Sequence, residues 1–331
     1  MRASGSRNAT CPCGSGKRYK HCCGSISSAS TDGVEISDEE LLRALKAADE
    51  LHLEQGMEPS ARSILNVGKA LEAFGIHTVL MGRHAPPIVE RTMALSNQLF
   101  MKKELQDGGL HLGAFLFRDM FCRLYAPIAF GECMIDFFKL VDLTDVQKGW
   151  LAETPEELAR FVDQASDILD FGFGWSEFGH DRKLNARSID LIWRSHVQLE
   201  AAAATATSAY DFRGTVQSAL LGAELALKAG LAAHGVTDKE LASRDIGHNL
   251  SAAAERLGGF EPRLDVARIK RVAAKMPDFV QSRYNTPPPG RMETGHILMG
   301  AQYIASEVTR QFTDRNCRAC NPDAPPRTYP P

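Results

Sequence analysis

Four cysteines within thirteen residues dominate the beginning of this chain. Cys11, Cys13, Cys22 and Cys23 follow the pattern Cys-x-Cys-x8-Cys-Cys, with two glycines between the pairs. So short a peptide cannot bury a hydrophobic core of its own, and it therefore needs a staple to fold. Four thiolates arranged on either side of a turn form the tetrahedral ligand set that structural zinc sites use. We therefore predict one Zn²⁺ ion bound by these four cysteines.

The residues around the cysteines favour zinc over two alternatives. Lys17, Arg18 and Lys20 would offset the negative charge of a four-thiolate site and keep the thiols ionised. An unmetallated reactive cluster or a disulfide pair is the first alternative, but adjacent Cys22 and Cys23 suit a metal better than a strain-free disulfide. A phosphate-binding loop is excluded, because the required Ser or Thr does not follow the lysine and the required glycine does not precede it.

The segment from Arg7 to Gly24 resembles the SEC-C motif, a zinc-binding module first known from a secretion ATPase. The spacing of Cys11, Cys13 and Cys22 matches that motif, and Cys23 stands where the family often has histidine. In that family the module is a docking element that meets a secretion chaperone or the ribosome, and it occurs on otherwise unrelated proteins. The resemblance implies zinc, and it implies docking to a ribosome, RNA or protein partner.

The bulk composition is that of an ordinary globular protein long enough for two domains and an appendage. The chain has 331 residues, of which 44% are hydrophobic and 24% are charged. It contains no apolar run long enough for a membrane span and no secretory signal at its beginning. Its eight cysteines are clustered rather than spread as a disulfide framework. We therefore expect a reducing, cytoplasmic environment.

The charge is distributed unevenly along the chain. Residues 1–24 hold five of the 38 lysines and arginines and none of the 41 aspartates and glutamates, so the remaining chain carries a net charge of −8. A basic tip on an acidic body suits docking to an anionic partner such as RNA.

Periodic apolar residues and helix-start signals predict a mostly α protein. Ser37, Thr144, Thr154 and Thr237 each precede a Glu or Gln three residues later, which is the capping-box pattern. Amphipathic helical stripes follow in 155–170 and 215–234, which are two of several such segments. Strand-type alternation is nearly absent.

Three stretches are less regular than the rest. Residues 76–81 are the best candidate for a short strand, while Phe115 to Phe138 is assigned to the first helical region. Residues 171–180 hold three glycines and four aromatic residues, which predicts an irregular loop between helices. Its aromatic side chains would either stack on nucleic-acid bases or plug the edge of a core, and we favour the core.

We predict five segments along the chain. Residues 1–24 form the zinc knuckle, and 25–35 form a flexible linker of small polar residues. Residues 36–200 form a helical region to which the sequence assigns no role. Residues 201–312 form a helical bundle, and 313–331 form a disordered, proline-rich tail.

The bundle region resembles a HEPN-type four-helix domain. The match consists of a helix with Glu224 and Lys228, the helix start at 247–250, an Arg-Tyr loop at 283–284, and a last helix through Val308. Many members of that family are metal-independent ribonucleases that use an arginine and a histidine, often paired across a homodimer. Others bind RNA or protein partners without catalysis.

Arg244 and His248 are the pair that this resemblance nominates for catalysis. They are separated by three residues, one fewer than the family pattern. Histidine can move the proton of a 2′-hydroxyl, and arginine can bind the charged phosphorane. The alternative is that His248 only bonds to backbone or faces solvent. We favour a binding protein over an enzyme, with a ribonuclease as the alternative function.

The chain ends with a second pair of cysteines. Cys317 and Cys320 form a lone Cys-x-x-Cys, which supplies only two metal ligands. They are interpreted either as idle surface thiols, which we favour, or as half of a second zinc site.

Overall fold

The computed structural model divides the chain into two compact units, residues 1–107 and 108–331. The residues that it describes are 18, 36–77, 86–101, 110–128, 134–179, 184–208, 212–243, 245–279, 281, 284, 287, 289–320 and 326–331. The predicted linker at 25–35 lies outside these residues, as does the zinc knuckle apart from Arg18.

The described part of the first unit is a packed set of three helices. They are α1 (Asp38–Glu54), α2 (Pro59–Glu72) and α3 (Pro87–Asn97), and each contacts the other two. One apolar face of each helix closes the core of this unit, which contains Leu41, Leu45, Val67, Leu71 and Val89. The strand expected at 76–81 is not formed at Ile76 and His77, which follow α2 as irregular structure; residues 78–81 lie outside the described part.

The second unit contains most of the helices. They are α4 (Asp145–Glu153), α5 (Pro155–Glu177), α6 (Ala186–Ser208), α7 (Arg213–Ala233), α8 (Asp238–Leu241), α9 (Leu250–Gly258), α10 (Val266–Ala273) and α11 (Arg291–Phe312). Helix α6 packs along α7, α7 packs along α11, and α11 packs along α5. The prediction of a mostly α protein is confirmed.

Three of the four expected helix caps are formed as capping boxes. The hydroxyls of Ser37, Thr144 and Thr237 each accept the backbone N–H of the residue three positions later. The Glu or Gln side chain at that position accepts the backbone N–H of the capping residue in return. At Thr154 the helix begins with a proline and the threonine side chain makes no capping bond. These starts follow from local chemistry, because each cap satisfies backbone donors that the first turn leaves unpaired.

A β-hairpin replaces part of the predicted first helical region. Strand β1 (His111–Phe117) pairs antiparallel with β2 (Met120–Ala126), and Arg118 in the turn adopts a φ of 57°. The assignment of Phe115 to Phe138 to helix is therefore wrong over these strands. Strand β1 is buried on both faces because α5, α6 and α11 all pack on it. An apolar run buried on both faces lacks the alternation that would have identified a strand.

Gln302 of α11 pairs with the backbone of β1. Its side chain accepts the N–H of Ala114 at 2.8 Å and donates to the carbonyl of the same residue at 2.9 Å. The side-chain amide thus satisfies both backbone groups of a buried strand residue, as a neighbouring strand would. Gln302 also donates to Gln164 of α5 at 2.9 Å, so one buried amide links the hairpin to two helices.

Residues 171–177 continue α5 rather than forming the loop expected at 171–180. The glycines of this segment allow close helix packing: a Cβ at Gly172 would meet Ala126 and His111, and one at Gly174 would meet Thr309. Glycine lowers helix propensity, but here it permits contacts that no other residue could make. Phe171 is buried in the core. The favoured core interpretation of the aromatic residues thus holds at Phe171.

The end of the chain is held against α5. Residues 326–331, expected to belong to a disordered tail, contain the buried residue Tyr329. Asp163 accepts the backbone N–H groups of Thr328 and Tyr329, both at 2.8 Å, and Asp167 pairs with Arg327. The expectation of disorder is therefore wrong for residues 326–331. Composition alone does not show that buried carboxylates of α5 bind this segment.

The predicted boundary at residue 200 falls within α6, which continues to Ser208. Residues 201–312 supply the end of α6 and all of α7 to α11. Their HEPN-like character stays a prediction. Among the described residues no helix combines the length and the apolarity needed to cross a bilayer.

Candidate functional site

The four predicted zinc ligands, Cys11, Cys13, Cys22 and Cys23, lie outside the described residues. Of this segment only Arg18 is described, and it is exposed. The prediction of a zinc site therefore rests on the donor set itself. Four thiols with basic neighbours fit a zinc ion, and they need no ligand from the rest of the chain.

A cleft of about 610 Å³ contains the predicted residue His248. Helix α7 forms one wall with Leu220 and Glu224, and the turn that leads into α9 supplies His248 and Asn249. Asn249 caps α9 by accepting the N–H of Ala252, which fixes the backbone beside the histidine. The cleft thus brings together two parts of the HEPN-like pattern that are 24 residues apart.

Glu224 is the centre of a three-residue polar group in this cleft. Its Oε2 lies 2.7 Å from Nδ1 of His248, and its Oε1 accepts a hydrogen bond from Lys228 Nζ at 2.6 Å. The Glu224 side chain is 7% exposed, whereas that of His248 is 54% exposed. The imidazole also stacks on Phe279, with ring centroids 4.8 Å apart. A buried carboxylate therefore orients a histidine whose ring faces solvent.

This arrangement is suited to proton transfer. An ionised carboxylate only accepts hydrogen bonds, so Nδ1 of His248 donates and Nε2 becomes the nitrogen that can take a proton. Lys228 places a positive charge against the other oxygen of the same carboxylate. A carboxylate that fixes the histidine tautomer in this way is the orienting device of many acid–base sites.

The described residues do not test the rest of the predicted pattern as a group. Arg244 lies outside the described residues, as does Arg283. Tyr284 is described and is 81% exposed. The Arg244–His248 pair therefore stays a prediction, while Glu224 is the partner of His248 that the structure adds.

The two C-terminal cysteines differ in their surroundings. Burial raises the pKa of the Cys317 thiol, and nearby Asp170 raises it further. The N–H of Cys317 donates to the same carboxylate at 2.7 Å. Cys320 is exposed, and its thiol donates to the carbonyl of Asn316. A raised pKa keeps the Cys317 thiol protonated and less reactive, while the interpretation of the pair as idle stays a prediction.

A second cavity, of about 550 Å³, was not expected from the sequence. It lies between α5, α11 and the end of the chain, with Arg160, His296 and Tyr329 among its lining residues. Nδ1 of His296 lies 3.0 Å from the hydroxyl of Tyr329. Residues 328–331 form one wall, and Asp163 of α5 helps to hold them in place.

A second group of titratable residues lies elsewhere in this unit. His111 begins β1, while His196 and Glu200 lie one turn apart on α6. One ligand atom from each lies within 4.8 Å of the others. In the described part of the chain, this is the group with the composition and spacing of a metal site.

Comparison with known families identifies one part of the chain. Residues 7–25 match the family model of the SEC-C motif. No curated protein and no solved structure is significantly similar to the chain. The chain therefore consists of a SEC-C motif followed by a mostly helical body. SEC-C motifs generally bind zinc, so at the level of the family the motif suggests a zinc-binding, adaptor-like protein.

Proposed function

We propose that this protein is a zinc-containing adaptor that docks through residues 7–25 to a ribosome, RNA or protein partner. The match of these residues to the SEC-C motif is the single observation that carries the proposal. Zinc held by Cys11, Cys13, Cys22 and Cys23 would give the segment a fixed shape. The clustered thiols fit a reducing cytoplasm, where we expect the protein to act.

The charge of the knuckle favours an anionic partner. Residues 1–24 contain five basic and no acidic residues, whereas the rest of the chain is acidic. A compact basic surface binds phosphate-rich partners more strongly at low salt, since each neutralised phosphate releases counterions. An RNA surface, free or within a ribosome, is therefore the first partner to test.

Metal analysis tests the zinc site. We expect one tightly bound zinc per full-length chain, lost in the double variant Cys11→Ser, Cys22→Ser. The matched control is Cys317→Ser, Cys320→Ser, which removes the same number of thiols and should keep the zinc. Unchanged zinc in the first variant, or loss in the second, would show that the knuckle is not the site.

Binding experiments test the docking role. Wild type and the two cysteine variants are each mixed with purified ribosomes and with labelled single-stranded RNA at two salt concentrations. We expect wild type and the C-terminal variant to bind and the knuckle variant to lose binding. Equal binding by all three would refute docking through the knuckle, and salt-independent binding would point to a protein surface instead.

The geometry at His248 supports a second candidate function, a HEPN-type ribonuclease. The favouring observation is the Glu224 carboxylate, which holds the exposed imidazole of His248 at 2.7 Å beside an open cleft. With Arg244 stabilising the charged phosphate, His248 would take the proton of the attacking 2′-hydroxyl. In this function the knuckle would bring the enzyme to its RNA.

Cleavage of labelled RNA in the presence of a chelator distinguishes the two functions. A ribonuclease would lose activity in His248→Ala and Arg244→Ala, and would keep most of it in His234→Ala, a control histidine paired with Glu261 on the same unit. Glu224→Gln should lower the rate, because the neutral amide no longer orients the imidazole of His248 as the carboxylate does. If wild type cleaves no RNA, or if all variants cleave it equally, the ribonuclease function is refuted and only the adaptor function stands.

A further inference from the structure

Three side chains from two elements of the second unit meet near the start of the hairpin. His111 is the first residue of β1 and is fully buried. His196 and Glu200 are four residues apart on α6, so they lie on one face of that helix. The packing of α6 on β1 brings the strand residue to this face.

The distances within this group approach those of ligands around a small cation, and His196 Nε2 lies 3.5 Å from Glu200 Oε2. The Nδ1 atoms of His111 and His196 are 3.0 Å apart, and His111 Nδ1 is 3.9 Å from Glu200 Oε1. Nitrogen and oxygen ligands bind zinc at about 2.0–2.2 Å, which places neighbouring donors about 3.3–3.6 Å apart in a tetrahedron. Small side-chain shifts would therefore let all three residues reach one ion.

The group has the ligand types that a metal site requires. Imidazole binds metals in its neutral form through a ring nitrogen, and His111 and His196 supply two such rings. The carboxylate of Glu200 supplies one negative charge. Two imidazoles and one carboxylate suit first-row transition ions better than Ca²⁺ or Mg²⁺.

Neighbouring residues hold these ligands in position. Trp175 stacks on the ring of His196 with centroids 4.3 Å apart, and its indole N–H donates to the carbonyl of Leu110 at 3.0 Å. The backbone N–H of Leu112 donates to Glu200 Oε1 at 3.0 Å. Such outer contacts orient the ligands of metal sites.

A hydrogen bond between the two histidines does not account for the group. It occupies one nitrogen of each ring, and Nε2 of His111 is buried with no hydrogen-bond partner in the described structure. Buried polar atoms without partners are uncommon, and ions or waters are frequent explanations for them. This nitrogen is not the Nδ1 atom that faces His196 and Glu200, so the metal proposal rests on the ligand types and the distances.

We propose that His111, His196 and Glu200 form a second metal site, for a divalent first-row transition ion of the zinc type, separate from the knuckle cysteines. Three protein ligands leave at least one coordination position for water or for a small ligand. The Glu200 side chain is 35% exposed, so the site opens to solvent on the side of the carboxylate. The body of this protein would then carry its own metal, whatever the knuckle binds.

Cobalt binding tests this proposal without interference from the knuckle. The full-length protein in which Cys11, Cys13, Cys22 and Cys23 are changed to serine is titrated with Co²⁺ alone. We expect one equivalent to bind and to give visible d–d bands without a sulfur-to-cobalt charge-transfer band. Zn²⁺ should displace the cobalt and abolish these bands.

Variants in the same background locate the site. Glu200→Gln keeps an acceptor for the N–H of Leu112, so it should fold normally while weakening cobalt affinity by at least about tenfold. His196→Gln should do the same, and Asp190→Asn, on the same helix but outside the group, should bind like the background. Circular dichroism verifies that each variant is folded. A charge-transfer band, no binding by the background, or equal affinity in the folded Glu200→Gln variant would overturn the proposal.

Discussion

Arg327 and Asp167 form a buried, bidentate ion pair between the end of the chain and the middle of α5. Nη1 of Arg327 lies 2.8 Å from Oδ2, and Nη2 lies 2.5 Å from Oδ1. The two side chains are 10% and 0% exposed. Arg310 of α11 approaches the same carboxylate at 2.5 Å, so one aspartate joins three segments of the second unit.

Removing Arg327 should destabilise this unit strongly. In Arg327→Ala the buried carboxylate loses one of its two cations, and we expect the free energy of unfolding to fall by about 3 kcal/mol. The matched control is Arg194→Ala, which breaks an exposed pair with Asp190 and should cost less than about 1 kcal/mol. Urea denaturation followed by circular dichroism measures both. If Arg327→Ala lowers the free energy of unfolding no more than Arg194→Ala does, the pair that holds residues 326–331 adds no stability.

The two glycines Gly172 and Gly149 should respond to alanine in opposite directions. A Cβ at Gly172 would collide with Ala126 and press on His111, so Gly172→Ala should cost about 1–3 kcal/mol. A Cβ at Gly149, inside α4, would meet nothing within 4 Å. Gly149→Ala should therefore stabilise the protein by roughly 0.5–1 kcal/mol, because alanine favours helix. Thermal unfolding compares them, and a neutral Gly172→Ala would contradict the packing described for α5.

Loss of a capping side chain should matter at Thr144 and not at Thr154. The Thr144 hydroxyl accepts the N–H of Gln147 at the start of α4, so Thr144→Ala should cost about 1 kcal/mol. Thr154 makes no capping bond at the start of α5, and Thr154→Ala should change stability by no more than about 0.5 kcal/mol. Denaturant midpoints distinguish the two; similar costs would mean that the cap contributes nothing.

Cysteine alkylation should follow exposure and thiol acidity. Burial raises the pKa of Cys122 to about 12 and also raises that of Cys317, so both stay protonated at pH 8. Cys320 is exposed. Because the thiolate is the reactive form, iodoacetamide should modify Cys320 well before the other two. Peptide mapping by mass spectrometry follows the three sites, and unfolding in urea should abolish the difference. Rapid labelling of folded Cys122 would contradict its burial.

Local chemistry made the mostly helical class and the starts of several helices predictable. The capping boxes at Ser37, Thr144 and Thr237 depend on residues three positions apart, so short-range pattern is sufficient to find them. The SEC-C motif is likewise a contiguous segment, and its recognition from cysteine spacing is confirmed.

Long-range packing decided the elements that the sequence misassigned. Three helices cover strand β1, so both of its faces are buried and its sequence lacks the alternation of polar and apolar residues. Residues 171–177 remain helical because glycine lets α5 approach the hairpin closely. Each outcome depends on a surface supplied by a distant part of the chain, which a local pattern does not contain.

The candidate sites likewise divide into those that local sequence marked and those that only long-range packing assembled. The sequence by itself marked the four clustered cysteines and His248, since both occur in short motifs with recognisable spacing. Only the tertiary structure paired His248 with Glu224, brought His111 to His196 across 85 positions, and attached Arg327 to Asp167. Spacing along a chain determines which side chains share a turn or a helix face, whereas contacts between distant segments exist only once burial of the apolar core has brought those segments together.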